Sequence, residues 1–265
     1  MNNNNKIIIN GTLAGLIEHY SGLLPRSILD HYQSDSFFFK TYKDTFRKMY
    51  SDNGIKTFYK FNIPMLTSIS LAHIWLFNFY ELHKNTENNL YSVFYSSIAK
   101  IGHDIIMTPG DTIRMINNVS GKNNTSIIKK LYYKNGLFAF FRSSPISLLM
   151  NIPVGIIEFS SMKYFMNNYE NKTKNYFIFG GLTGILSSIV SNPLDIIKTN
   201  IQLQGCTNKY SYKKYPHFNS MICSCKHTYN NLTIKGLFRG TLLRSFQMSL
   251  CFGTYECLSD HLLKH

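Results

Sequence analysis

Long apolar stretches alternate with polar connections along this chain, and the apolar ones fall at residues 7–24, about 61–80, 90–108, 143–166, 176–192 and 237–258. Each is close to the roughly 17–25 residues that a helix needs to cross a bilayer. The first, third and fifth end on Pro25, Pro109 and Pro193, which are 84 residues apart. Proline lacks a backbone N–H and crowds the preceding turn, so a break or kink is predicted at each. After the last of them the chain reads Pro-Leu-Asp-Ile-Ile-Lys (193–198), and after the second Pro-Gly-Asp-Thr-Ile-Arg (109–114). An acid and a base three residues apart share one helical face. The first copy, Pro-Arg-Ser-Ile-Leu-Asp (25–30), keeps the proline and loses that pair.

The connections repeat as well. Amphipathic stretches at 42–50 and 127–133 run into Asn53-Gly54 and Asn135-Gly136, and a longer linker closes on Lys235-Gly236. The even segments open on an aromatic and a base: Phe58-Tyr59-Lys60, Phe140-Phe141-Arg142 and Phe238-Arg239-Gly240. Such pairs at helix starts read as interfacial anchors. The pattern predicts an all-α membrane protein with six transmembrane helices in three repeats, residues 1–85, 86–171 and 172–265. A soluble solenoid is disfavoured, because its repeats run to roughly 20–50 residues.

Composition adjusts this picture. A net charge of +14 suits an anionic surface, whereas 15% aromatic and 16% charged residues are more typical of a membrane protein than of a nucleic-acid binder. A mean hydropathy of −0.12 opposes a membrane reading. The conflict eases if each helix turns a polar face towards an interior cavity. Cys223-Ser224-Cys225 lacks metal-site spacing, and Cys206, Cys251 and Cys257 are scattered, so the thiols are expected free and reduced. The start, Met1 to Lys6, has no transit-peptide or secretory pattern, so targeting is expected to be internal. The basic, tyrosine-rich linker 209–215 reads as a solvated loop. No phosphate loop, nucleophile elbow, zincin helix or paired-carboxylate motif occurs, which leaves no enzyme reading.

Three tandem helix pairs with Pro-x-[Asp/Glu]-x-x-[Lys/Arg] closing the odd helices resemble the mitochondrial carrier family over essentially the whole chain. The resemblance implies a pseudo-threefold barrel in the mitochondrial inner membrane, short matrix helices and one central site reached from alternate sides. Local matches are most similar to the iron-carrying mitoferrin branch: Ala14-Gly15-Leu16-Ile17-Glu18-His19, Leu71-Ala72-His73, Gly102-His103-Asp104 and Met150-Asn151-Ile152-Pro153. They imply Fe²⁺ as transported substrate, no resident cofactor, contact with anionic cardiolipin-like lipid, no nucleic-acid partner and action as a monomer. Carriage of another solute, or a non-transporting scaffold, stands as the alternative.

The candidate residues follow. His19 and His103 each lie six residues before a motif proline, and Ser187 holds the third equivalent place. With His73, Met150 and Asn151 they form the expected metal-ligand set, since ferrous iron accepts imidazole, thioether and amide donors. Glu18 and Asp104 are expected to orient the rings or face neighbouring helices. By resemblance, Met150 and Asn151 occupy the substrate contact point of the fourth helix, eight and nine residues after Arg142. The same count gives Ser68 on the second helix and Gln247 on the sixth, and these places hold no charge.

The resemblance also implies gates. On the matrix side Asp111 is expected to pair with Lys198, Arg114 to face Ser27 without a partner, and Asp195 to confront Asp30 unless Arg26 or a proton intervenes. One bridge of three implies a weak gate. On the cytoplasmic side the candidates are Tyr80, Glu81, Lys84, Lys163 and Asp260.

Overall fold

The first long helical rod is interrupted at Gly22, not at Pro25: α1 (Asn3–Ser21) and α2 (Leu23–Ser34) meet there. Pro25 lies in the first turn of α2, where a missing N–H leaves no intrahelical bond unmade. Pro109 and Pro193 lie inside helices that continue past them, α6 (Asn89–Ser120) and α9 (Thr173–Gln202). The expected break is therefore corrected. Each proline removes one backbone bond, and the following Asp and base stay helical and remain on one face.

These coordinates are a computed structural model that describes residues 3–35, 38–59, 63–83, 89–168, 173–216, 222–223, 225–227 and 234–264. Its other helices are α3 (Tyr42–Asn53), α4 (Lys56–Tyr59), α5 (Ile63–His83), α7 (Asn124–Asn135), α8 (Ser144–Asn168), α10 (Ile234–Leu237) and α11 (Thr241–Lys264), with a 3₁₀ turn at Leu137–Phe140. The amphipathic stretches predicted at 42–50 and 127–133 are α3 and α7. Gly54 and Gly136 end them at φ of 60° and 64°, a conformation that side chains with a Cβ resist. Most of the third linker lies outside the described residues.

The long helices pack side by side in chain order and close on themselves: α1 on α5, α5 on α6, α6 on α8, α8 on α9, α9 on α11 and α11 on α1. The tightest seam is α9 on α11. A Cβ added to Gly184 would sit 2.6 Å from the Met248 backbone, and one on Gly180 2.7 Å from that of Phe252, so only glycine allows this approach.

Apolar residues point outward at helical spacing, among them Ile9, Leu13 and Ile17 on α1, Ile101 and Ile105 on α6, and Ile152 and Ile156 on α8. Polar groups are kept off that surface: Thr183, Ser187, Ser188, Ser191 and Asn192 of α9 are all buried, and charged and polar side chains line an interior cavity. This inverted pattern is that of a helical ring in lipid around a polar interior, and it explains the low mean hydropathy. Residues Leu137–Ile157 and Phe177–Gln202 are long and apolar enough to cross a membrane.

The basic linker is solvated only in part: Tyr212, Lys213 and Lys214 are exposed as expected, and Tyr215 is buried. Its residues form a strap that ties the C-terminal ends of the odd helices together. Asn208 Nδ2 donates to Ser34 Oγ at 3.3 Å, Tyr215 Oη to the Ser34 carbonyl at 3.0 Å, and the Lys209 amide to the Val119 carbonyl at 2.9 Å. Orphan carbonyls at helix ends need such donors. Tyr215 is 2% exposed, and burial pushes its phenol up to about 12.

Lys209 Nζ and Tyr210 Oη both bind Asp52 of α3, at 2.8 and 2.5 Å. Partial burial alone would raise the Asp52 carboxyl, but these two donors hold it below the usual carboxylate range. A lowered folded-state value stabilises above the ordinary carboxylate pKa and is lost as pH falls through the lowered one. Amide-exchange protection of residues 208–212 should therefore be full above the ordinary carboxylate pKa, weaken as pH falls below it, and be lost once the lowered value is passed. Asp52→Asn should loosen the strap wherever Asp52 is ionised, by under about 1 kcal/mol because the pair is partly exposed, and should match the parent once Asp52 is protonated. Unchanged exchange in that variant where Asp52 is ionised would show that the strap does not depend on this pair.

The aromatic–basic openings do more than anchor. Arg142 donates through Nη2 to the Gln202 carbonyl at the end of α9. Arg239 donates to the carbonyls of Tyr32 and Phe39 and lies 3.8 Å over the Tyr32 ring. A guanidinium against the last carbonyls of a helix satisfies their orphan acceptors and its dipole.

Candidate functional site

Three imidazoles from three helices meet inside the ring. His19 on α1, His73 on α5 and His103 on α6 have ligand nitrogens that all lie within 4.8 Å of one another. The His73 ring stands edge-on to both neighbours, with centroids 5.7 Å from His19 and 5.1 Å from His103. Gly15 makes room for it, since a Cβ there would be 2.2 Å from the His73 ring.

Two of the rings are oriented by acceptors that cannot donate. His73 Nδ1 is 3.0 Å from the Ile69 carbonyl, and His103 Nδ1 is 3.2 Å from Asp104 Oδ1. Nδ1 must carry the proton in both bonds, which leaves Nε2 as the lone-pair nitrogen. This is the tautomer and support of metal-binding histidines. Three nitrogens about 2.1 Å from one ion would stand roughly 3.0–3.6 Å apart, so the trio is gathered but not clamped.

Asp104 also accepts from Asn151 Nδ2 at 2.5 Å, which draws α8 to the histidine level. Its expected role in ring orientation is matched by this geometry. Met150, the neighbour of Asn151, is buried, and its sulfur faces Arg244 Nη2 at 3.5 Å. Gln247 lines the same cavity, which has a volume of about 270 Å³. Ser68 is not among its lining residues and packs against Gly110 of α6 instead. Ser187 is buried, and its hydroxyl has no hydrogen-bond partner.

The motif charges gather at one end of this cavity, eight residues or about 12 Å along α6 from His103. They form a chain of alternating sign. Arg244 binds Asp195 at 2.6 Å, Asp195 binds Arg26 at 3.3 Å, and Arg26 binds Asp30 at 3.2 Å. Asp30 binds Arg114 at 2.5 Å, Arg114 binds Asp111 at 2.9 Å, and Asp111 binds Lys198 at 2.7 Å.

The expectation that Arg114 lacks a partner is thus corrected. Asp30 lies three residues beyond Ser27, one turn further along the same face, and the long guanidinium reaches it. Arg26 intervenes between Asp195 and Asp30, which removes their repulsion. One bridge of three becomes a continuous chain. Gln202 adds a bond to Asp111 at 2.9 Å. The side chains of Tyr80, Glu81, Lys163 and Asp260, and all of Lys84, lie outside the described residues.

Arg244 was not foreseen. Its signal was available: it is the one formal charge between Thr241 and Thr254, and an intramembrane charge faces the interior.

A closed helical ring with a polar, charge-lined cavity and an apolar outer surface is the build of a membrane carrier. The mitochondrial carrier protein model matches residues 85–173 and 169–265, about two thirds of the chain. The chain belongs to the mitochondrial carrier family, a family of transporters rather than enzymes, and is a mitochondrial membrane protein. It is similar to mitoferrin-1 of Rattus norvegicus, 25% identical over 96% of this chain and 82% of that protein. It is also similar to mitochondrial RNA-splicing protein MRS3 of Saccharomyces cerevisiae, 24% identical over 97% and 88%. Mitochondrial substrate carrier family protein H of Dictyostelium discoideum is 28% identical over 69% and 60%.

Proposed function

We propose that this carrier imports ferrous iron through the mitochondrial inner membrane into the matrix by alternating access. The observation that carries the reading is the trio of His19, His73 and His103 within 4.8 Å at the cavity. A ligand set that is gathered but wider than a coordination shell binds in transit and releases, as conduction requires. Met150 and Asn151 complete a soft, neutral donor set for a borderline cation, and Gln247 lines the wall beside it.

An anionic substrate fits less well. Arg26, Arg114, Lys198 and Arg244 all reach the cavity, but each is already within 3.3 Å of a carboxylate. At the histidine level Lys100 is accompanied by Glu18 and Asp104. The similarity to mitoferrin-1 supports the metal reading.

In this reading the chain is three two-helix repeats, 1–85, 86–171 and 172–265, with six spans, and works as a monomer in contact with cardiolipin-like lipid. Asp30, Asp111, Arg114, Asp195 and Lys198 close the matrix side. Tyr80, Glu81, Lys84, Lys163 and Asp260 serve the cytoplasmic side. Pro109 and Pro193, and Gly22 in the first repeat, mark the bends about which the repeats move.

The test is radiolabelled ferrous iron uptake into liposomes holding the full-length protein, under anaerobic conditions. Saturable uptake that other divalent ions inhibit is expected. Uptake equal to that of empty liposomes would refute an iron carrier.

A further inference from the structure

Arg244 is a buried cation for which metal binding alone gives no task. Only 2% exposed, it reaches out of α11 to three partners at once. Nη1 binds Asp195 at 2.6 Å, while Nη2 donates to Ser191 Oγ at 3.1 Å and to Met150 Sδ at 3.5 Å. Its Nε is buried without a partner. A thioether is a weak acceptor, and a guanidinium held against one is poorly satisfied compared with one forked onto a carboxylate.

The position matters more than the strength of any one bond. Met150 adjoins Asn151, which is tied to Asp104 and so to the histidine level. Asp195 is the last acid of the ion-pair chain and shares itself between Arg244 and Arg26. Arg244 therefore touches the cargo level with one nitrogen and the gate with another. A sulfur that accepts from Nη2 offers that lone pair to no metal, and a dication approaching it meets a fixed positive charge. Metal at Met150 and the present place of Arg244 exclude one another.

We propose that Arg244 couples cargo to gate: a metal ion that engages Met150 displaces Nη2, the shift pulls Nη1 on Asp195, and the ion-pair chain opens. This role rests on the metal-carrier reading above. It makes Arg244 a positioning residue, since it acts through Met150 and Asp195. The empty carrier stays shut because the displaced arrangement has no cation to hold it. A ligand shifts an equilibrium only by its differential affinity for the two states, and the contest for one sulfur supplies that difference.

Arg244→Lys separates coupling from charge. A lysine keeps a cation for Asp195 but cannot fork to Ser191 and Met150 as well. With the sulfur freed, KM for ferrous iron should fall by roughly 3-fold or more while the maximal rate falls about 10-fold, the mark of cargo bound well and released poorly. Thermal stability in detergent should stay near that of the parent. Adding Met150→Leu should cancel the fall in KM but lower the maximal rate of R244K little further, because in coupling the two residues act as one unit.

A second measurement needs no variant. Ferrous iron should raise amide exchange of residues 193–199 in the unaltered protein, and should fail to do so in R244K. Unaltered KM and rate in R244K, strictly additive losses with Met150→Leu, or no metal-dependent exchange in the unaltered protein would each overturn the coupling role. If the unaltered protein itself takes up no ferrous iron, the carrier reading fails first and this role falls with it.

Discussion

Replacing His73 with alanine is expected to lower ferrous uptake at least ~100-fold, the largest loss from any single histidine, because loss of a mere supporting partner already costs about 10–100-fold in metal affinity. His73 is the central member. It stands edge-on to both other rings, whereas no such contact joins His19 to His103 among the described residues. Its Nδ1 is fixed by a backbone carbonyl, so Nε2 is aimed without help from another side chain. His103 leans on Asp104, and Asp104→Asn should give the milder loss of about 10–100-fold.

An alanine at 73 also empties buried space, which costs stability in itself. A second variant removes that ambiguity. Gly15→Ala keeps every ligand but places a methyl 2.2 Å from the His73 ring, so the ring must move. Uptake should fall sharply there too, with the helices intact by circular dichroism and thermal unfolding. Initial rates within twofold of the parent in both variants would remove His73 from the site.

How much of this was legible beforehand depends on direction. Along each helix the sequence was informative. The period of 84 located the prolines, the amphipathic stretches matched α3 and α7, and the equal offset of His19 and His103 placed them at one depth. Across helices it was much less so. Counting from Pro25 put an acid's place at Ser27, but a guanidinium spans a helical turn, and the acid one turn on does the pairing.

The proline rule failed at Pro109 and Pro193 for a related reason. One lost backbone bond is tolerated when neighbouring helices hold both halves, so the chain bends its hydrogen-bonding pattern without ending the helix. The linker 209–215 misled in part: residues 212–214 are solvated as its composition suggests, but its two ends are tied down. What fixes it is the carbonyl of Ser34 and the carboxylate of Asp52, both more than 150 residues away in sequence. Ser68 shows the same limit in reverse: the right count from Lys60 placed it on the seam with Gly110 instead of on the cavity.

The second large effect is expected at Asp30. This fully buried carboxylate is the hinge of the ion-pair chain, holding Arg26 at 3.2 Å and Arg114 at 2.5 Å, with Asn118 Nδ2 at 3.0 Å. Asp30→Ala would leave two buried guanidiniums short of a partner. Breaking a buried pair from one side typically costs about 3–5 kcal/mol, and this site serves two pairs. Lys198→Ala should be much milder, because Asp111 keeps Arg114 at 2.9 Å and Gln202 at 2.9 Å when the lysine goes. The comparison is informative because the sequence pattern alone ranks the two the other way: Lys198 belongs to an intact motif and Asp30 to a degraded one. Thermal unfolding in detergent decides it. A larger loss in Lys198→Ala than in Asp30→Ala would mean that the first repeat's acid is a remnant and that closure depends on the intact motifs alone.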